Sequence, residues 1–103
     1  MKLGFGLYRH MLNAEHYKFA KQCGATHLGK SEGWGQAGNS GNIWSLEELV
    51  NIKKEINFYG LELEAVENFD PAMWFDILLD GPRKLEQIEN LKQLIRNVGK
   101  AGI

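Results

Sequence analysis

Disulfide-forming cysteine, net charge and long apolar runs are all missing from this 103-residue sequence. A single Cys, Cys23, cannot form an internal disulfide, so a reducing compartment is the simpler setting. Lys and Arg number 12 against 13 Asp and Glu, giving a formal charge of −1. That balance removes the electrostatic case for nucleic acid or an anionic membrane as the main partner. No apolar run approaches the ~20 residues needed to span a bilayer. The stretch from Leu3 to Tyr8 is cut off by Arg9 and His10 and is too short for a signal peptide. The expectation is a soluble, cytoplasmic chain. With 44% hydrophobic and 24% charged residues, the composition is that of a folded globular domain. The length allows one domain, which would hide roughly two-thirds of the surface of its unfolded chain.

Apolar periodicity then divides the chain. Leu3-Gly4-Phe5-Gly6-Leu7-Tyr8 reads as a strand with Leu3, Phe5 and Leu7 on one face, while Gly4 and Gly6 on the other allow a close approach. Asn13 is a good N-cap for a helix carrying His16, Phe19, Ala20 and Cys23 at helical spacing, and Gly24 suits its end. Ala25 to Leu28 reads as a very short second strand. From Gly29 to Asn42 five glycines surround Trp34, which predicts a long loop. Ser45 and Glu48 form a capping box, and Trp44 and Leu49 are placed as a hydrophobic staple. Leu49, Ile52, Ile56 and Tyr59 give that helix its buried stripe, and Gly60 ends it. Leu61 to Asn68 alternates like a strand, with Leu61, Leu63 and Ala65 on one face and Glu67 continuing it. Asp70-Pro71 opens a short helix over 72–79, and Gly81-Pro82 breaks it. A longer helix follows with Leu85, Ile88, Leu91, Leu94, Ile95 and Val98 on its apolar side, and Gly102-Ile103 reads as the approach to a fourth strand.

This alternation implies parallel strands with crossover helices. The predicted fold class is α/β: the first three βα units, β-α-β-α-β-α, of a partial (β/α)₈ barrel. The full barrel usually takes ~250 residues. Residues 1–103 are therefore expected to form the N-terminal fragment of one barrel domain, with residues 29–42 as its glycine-rich loop.

One short motif points elsewhere. Gly24 to Ser31 matches the phosphate-binding pattern G-x-x-x-x-G-K-[ST]. That chemistry needs a strand before the first Gly and a helix opening at the Lys-Ser end. Here a helix precedes Gly24, and Glu32-Gly33-Trp34-Gly35 is a poor helix start. A small nucleotide-binding module using Lys30 and Ser31 stands only as an alternative.

In parallel barrels, functional groups come from the C-terminal ends of strands. On this reading those ends are Tyr8-Arg9-His10, His27 and Glu67-Asn68. Arg9 suits a bidentate pair with a substrate carboxylate, or is a plain exposed loop residue. His10 and His27 are each either an acid–base group or structural. His16 belongs on the apolar face of its helix. Glu67 suits a sugar hydroxyl, a metal or a proton, or is a solvated strand end. Glu62 and Glu64 would need partners inside an intact barrel and otherwise face water. Cys23 and His16 lie about 10 Å apart along one helix, too far to share an ion, and no self-contained metal site has the required spacing.

The segments Met1 to His10, Phe19 to His27, Ile43-Trp44-Ser45, Gly60 to Leu63, Val66 to Asp70, Leu78 to Arg83 and Gly99 to Ile103 together resemble mannonate dehydratase. The resemblance implies a barrel similar to that of xylose isomerase. It implies dehydration of D-mannonate to 2-dehydro-3-deoxy-D-gluconate in hexuronate breakdown, with Mn²⁺ or Fe²⁺ as Lewis acid stabilising an enediolate. The family's metal-binding His, Cys and Asp lie beyond the stretch matched here, so the isolated chain is expected to be inactive and to hold no ligand for that metal. Tyr8, Arg9, His27, Glu67 and Asn68 match motif positions at the active-site face and are the candidate substrate contacts. The segment after His27 is short for the family. A homo-oligomeric parent enzyme is compatible with the resemblance, and a related sugar isomerase or epimerase barrel is the remaining alternative.

Overall fold

A computed structural model describes residues 1–31 and 44–103. The glycines from Gly33 to Gly41 and Trp34, on which most of the long-loop expectation rests, lie outside the described residues. Strands β1 (Gly4–Tyr8), β2 (His27–Ser31) and β3 (Glu62–Glu67) form one parallel sheet in the order β1-β2-β3. Helices α1 (Ala14–Gln22) and α2 (Leu46–Phe58) connect them, and α3 (Phe75–Leu79) and α4 (Lys84–Ala101) follow. The α/β reading, parallel strands with interleaved helices, holds.

Local signals account for the helix starts. The Asn13 side chain accepts from the His16 N–H, at 3.2 Å. Ser45 Oγ accepts from the Glu48 N–H at 3.1 Å, and the Glu48 carboxylate accepts from the Ser45 N–H at 3.1 Å. This reciprocal cap satisfies two donors that the first turn of α2 leaves without helical partners. Gly24 and Gly60 end α1 and α2 at φ of +85° and +73°, a left-handed conformation that costs glycine little.

Among the described residues, the helical cover lies on one face of the sheet. Leu7, Leu28, Leu61 and Leu63 pack there against Tyr17 and Ala20 of α1 and Ile56 of α2. A second cluster joins α2 to α4 through Trp44, Leu49, Met73, Leu94 and Ala101. The described residues leave the opposite face open: Gly4, Gly6, Ala65 and Glu67 are exposed on it.

Several expectations are corrected. The second strand is His27–Ser31, not 25–28, so it occupies the start of the expected loop and the end of the phosphate-loop match. Gly29, Lys30 and Ser31 pair with β1 and with β3, and backbone hydrogen bonds to two neighbours outweigh their poor strand propensity. The Lys30 side chain is buried on the helical face with Nζ 3.2 Å from the centre of the Trp44 ring, a cation–π contact rather than a phosphate ligand. In β3, Leu28 pairs with Leu63 but Gly29 with Ala65, so Glu64 is an inserted residue and the side-chain alternation resets there. Leu61 and Leu63 therefore face the helices, while Ala65 and Glu67 face the open side. On α1 the buried residues are Tyr17 and Ala20, and Phe19 and Cys23 are exposed. The expected helix over 72–79 is a 3₁₀ turn, Pro71–Met73, followed by α3. On α4, Leu85 and Ile95 are exposed, whereas Gln87 and Asn97 are buried.

Those two buried amides have definite tasks. Gln87 Oε1 accepts from the N–H groups of Asp76 and Ile77 at 3.0 and 3.2 Å, and its Nε2 donates to the Ala72 carbonyl at 3.1 Å. It caps the start of α3, which has no side-chain cap of its own at Trp74. Asn97 Nδ2 donates to the Trp44 carbonyl at 2.9 Å and so ties the entry of α2 to α4. No helix among the described residues is long and apolar enough to cross a membrane.

Candidate functional site

The C-terminal ends of the three strands come together in register, with Tyr8, Ser31 and Glu67 at matching positions. Parallel pairing forces this, because strands that run the same way bring all their exits to one edge. Tyr8 is half exposed and stacks on the His10 ring, with centroids 5.9 Å apart and planes within 5°. Arg9 opens the 3₁₀ turn that follows β1. Asn68 follows β3 at φ +55°, a left-handed geometry that Asn tolerates better than most residues.

Glu67 is the centre of this arrangement. Its Oε1 lies 3.4 Å from where a Cβ would stand on Gly6 and 3.4 Å from the same position on Gly29. The carboxylate therefore lies back over a floor made by glycines of two neighbouring strands. A Cβ at either position would come into contact with it. Of the two glycines expected to allow a close approach, Gly6 is approached by Glu67 of this chain and Gly4 is not, and Gly29, hidden inside the phosphate-loop match, contributes as much as Gly6.

His27 is elsewhere. As the first residue of β2 it stands at the N-terminal end of the sheet. Four residues of strand put it about 13 Å from the opposite edge. The expected strand end at His27 came from placing the strand too early. The four candidates Tyr8, Arg9, Glu67 and Asn68 share one edge, and His27 does not join them.

The N-terminal edge carries a group that sequence spacing did not reveal. His27 Nε2 lies 3.3 Å from a Glu62 oxygen and 3.6 Å from a Glu64 oxygen. Lys2 Nζ contacts both oxygens of Glu64, at 2.7 and 2.9 Å. The Lys2 ammonium holds the Glu64 carboxyl below the usual carboxylate range, and Glu64 in turn raises Lys2. Glu62 and Glu64 thus have partners on the open face. Strand alternation places Glu62 and Glu64 on one face, but only the register of β2 against β3 adds His27. His16 keeps a structural place, its Nδ1 2.9 Å from Asn13 Oδ1.

Parallel strands covered by helices on one face, with polar side chains gathered at the strand exits, define a segment of an α/β barrel-type protein. The comparisons make the class specific. A family model for D-mannonate dehydratase (UxuA) matches residues 2–103, and the chain belongs to that family. It is 40% identical over 63 residues to mannonate dehydratase of Geobacillus thermodenitrificans, a match covering 61% of this chain and 16% of that protein. Mannonate dehydratase of Thermotoga petrophila is also 40% identical over 63 residues, covering 61% and 17%. The crystal structure of mannonate dehydratase from Streptococcus suis serotype 2 superposes with a TM-score of 0.75 at 30% identity. That match covers all of this chain and 28% of the solved one, so the chain spans little more than a quarter of that relative's length. The fold is the first three βα units of a barrel of that type, and the nucleotide-binding alternative finds no support.

Proposed function

We propose that this chain is the N-terminal part of a single-domain hydro-lyase that dehydrates D-mannonate to 2-dehydro-3-deoxy-D-gluconate, and that its open sheet face forms part of the substrate pocket. The observation that carries the reading is the Glu67 carboxylate seated over Gly6 and Gly29 at the C-terminal edge of the sheet. A carboxylate there can accept hydrogen bonds from sugar hydroxyls or take a proton. Arg9 would address the sugar-acid carboxylate through two parallel N–H donors. Tyr8 and Asn68 would contact hydroxyls on either side. An apolar groove of about 260 Å³ runs beside β3, lined by Val66, Phe69, Ile95 and Val98 among others, and has the place and polarity for a fourth strand.

No group of three donors among the described residues at this edge could hold the Mn²⁺ or Fe²⁺ expected for the family. Among the described residues, the one group of three His, Cys, Asp or Glu donors close enough to share an ion is His27, Glu62 and Glu64, at the opposite edge. We place the ligands for a reaction metal beyond the matched stretch, as the family resemblance implies, and take the isolated chain to be inactive. A cytoplasmic, homo-oligomeric parent enzyme belongs to the same proposal.

The test uses two proteins. The purified chain with Mn²⁺ and D-mannonate should give no keto-deoxy product. A chimera in which residues 1–103 replace the matching segment of the Streptococcus suis enzyme should give it. In the chimera Glu67→Gln should lower kcat/KM by about 10²-fold, in the range of a lost acid–base group. Product from the isolated chain overturns the assigned inactivity, and an unimpaired Glu67→Gln chimera overturns the role of Glu67.

A further inference from the structure

We propose that His27, Glu62 and Glu64 form a binding site for a divalent transition-metal ion at the N-terminal edge of the sheet, separate from the substrate edge. One ligand atom from each residue lies within 4.8 Å of the others. Two ligands about 2.1 Å from a tetrahedral ion stand about 3.4 Å apart. The His27 Nε2 distances of 3.3 and 3.6 Å to the two carboxylates bracket that separation.

The hydrogen bonding of the imidazole adds a separate argument. Thr26 Oγ1 lies 2.6 Å from His27 Nδ1 and 3.4 Å from the Leu3 carbonyl oxygen. When the Thr26 hydroxyl donates to the Leu3 carbonyl, its oxygen accepts from an Nδ1–H, and this is the tautomer in which Nε2 can bind an ion. In the neutral ring this leaves Nε2 with a lone pair aimed at two carboxylates. Three electron-rich atoms then face one another, and a positive charge between them, either a proton on Nε2 or a metal ion, relieves the repulsion. An outer partner that fixes the far ring nitrogen is also how metal-binding imidazoles are held. One nitrogen and two oxygens with an open fourth position suit Zn²⁺ or a similar borderline ion better than Ca²⁺ or Mg²⁺.

The protein supplies its own competitor. Lys2 Nζ contacts both Glu64 oxygens, so an ion must share Glu64 with it or displace it. Lys2 is mostly exposed, and displacement needs no movement of the core.

Calorimetric titration of the full 103-residue chain with Zn²⁺ tests the site. The expected result is one ion per chain, binding lost in His27→Ala and weakened at least tenfold in Glu62→Gln. Lys2→Ala, on an exposed residue that carries no packing, should tighten binding severalfold by freeing Glu64. Unchanged binding in His27→Ala, or no tightening in Lys2→Ala, overturns the proposal. In the unmodified chain, ¹⁵N spectra of the imidazoles should show Zn²⁺ shifting His27 Nε2 and leaving His10 and His16 in place. Shifts confined to His10 or His16, or none at millimolar Zn²⁺, overturn it independently of any variant. The substrate-edge proposal does not enter this outcome, since activity is not the readout.

Discussion

The two faces of the same three strands are built on opposite principles. The helical face is filled with Leu7, Leu28, Leu61 and Leu63 against Tyr17 and Ile56, all but fully buried. The open face carries Gly4, Gly6, Gly29 and Ala65, with the ionisable groups His27, Glu62, Glu64 and Glu67 set among them. One face removes apolar surface from water, and the other keeps the backbone bare so that a few charged groups lie close to it. Stability should therefore reside on the first face and chemistry on the second. A substitution on each face can break that division.

Leu28→Ala should have the largest effect. Leu28 is 1% exposed on the helical face of the middle strand, and a buried Leu truncated to Ala costs about 2–5 kcal/mol, partly through the cavity left behind. Denaturant unfolding should show the midpoint fall with the slope preserved. A loss below about 1 kcal/mol would mean that the helices close over the gap, and that the helical face is not the main source of stability.

Tyr17 gives a second test of the same face through pH. Burial, and then the Glu55 carboxylate, push its phenol up from 10 to about 12. The unfolded phenol releases its proton from about pH 10, while the buried one holds it, so the unfolded state is favoured between these values. The stabilisation is fully present below pH 10 and lost as pH rises toward 12, at most about 2–3 kcal/mol. Tyr17→Phe keeps the ring that packs on Tyr59, 5.2 Å away, and should flatten the alkaline slope. An equally steep fall in the Phe variant would assign the slope to another group.

What the sequence made legible follows the same division. The start of α2 was readable because Trp44, Ser45, Glu48 and Leu49 act within five residues of one another. The glycine ends of α1 and α2 were equally local. The second strand was misplaced because Gly29, Lys30 and Ser31 are held by pairing with β1 and β3, which no local pattern records. His27 was assigned to the wrong end of that strand as a direct consequence. The inserted Glu64 reverses the alternation within β3, so Glu67 lies on the face opposite Leu63 even though both were read as one row. Gln87 and Asn97 carry no sequence signal that marks them as buried, because polar residues are usually exposed. Their amides instead serve the backbone of α3 and the entry to α2, a requirement set by neighbouring segments.

The smallest effect is the most informative about the open face. Glu67→Gln keeps the side-chain shape over Gly6 and Gly29 and removes only the charge. Glu67 is exposed and closes no core, so unfolding stability should change by no more than about 0.5 kcal/mol in either direction. Gly29→Ala is its counterpart, because the added Cβ would sit 3.4 Å from the carboxylate oxygen, in contact with it, on the face away from the helices. If both variants unfold with the parent, the carboxylate is held over that glycine floor for a ligand and not for the fold. If Glu67→Gln loses more than 1 kcal/mol, the charge serves the sheet itself. The open face would then be structural at the very position where substrate chemistry is proposed.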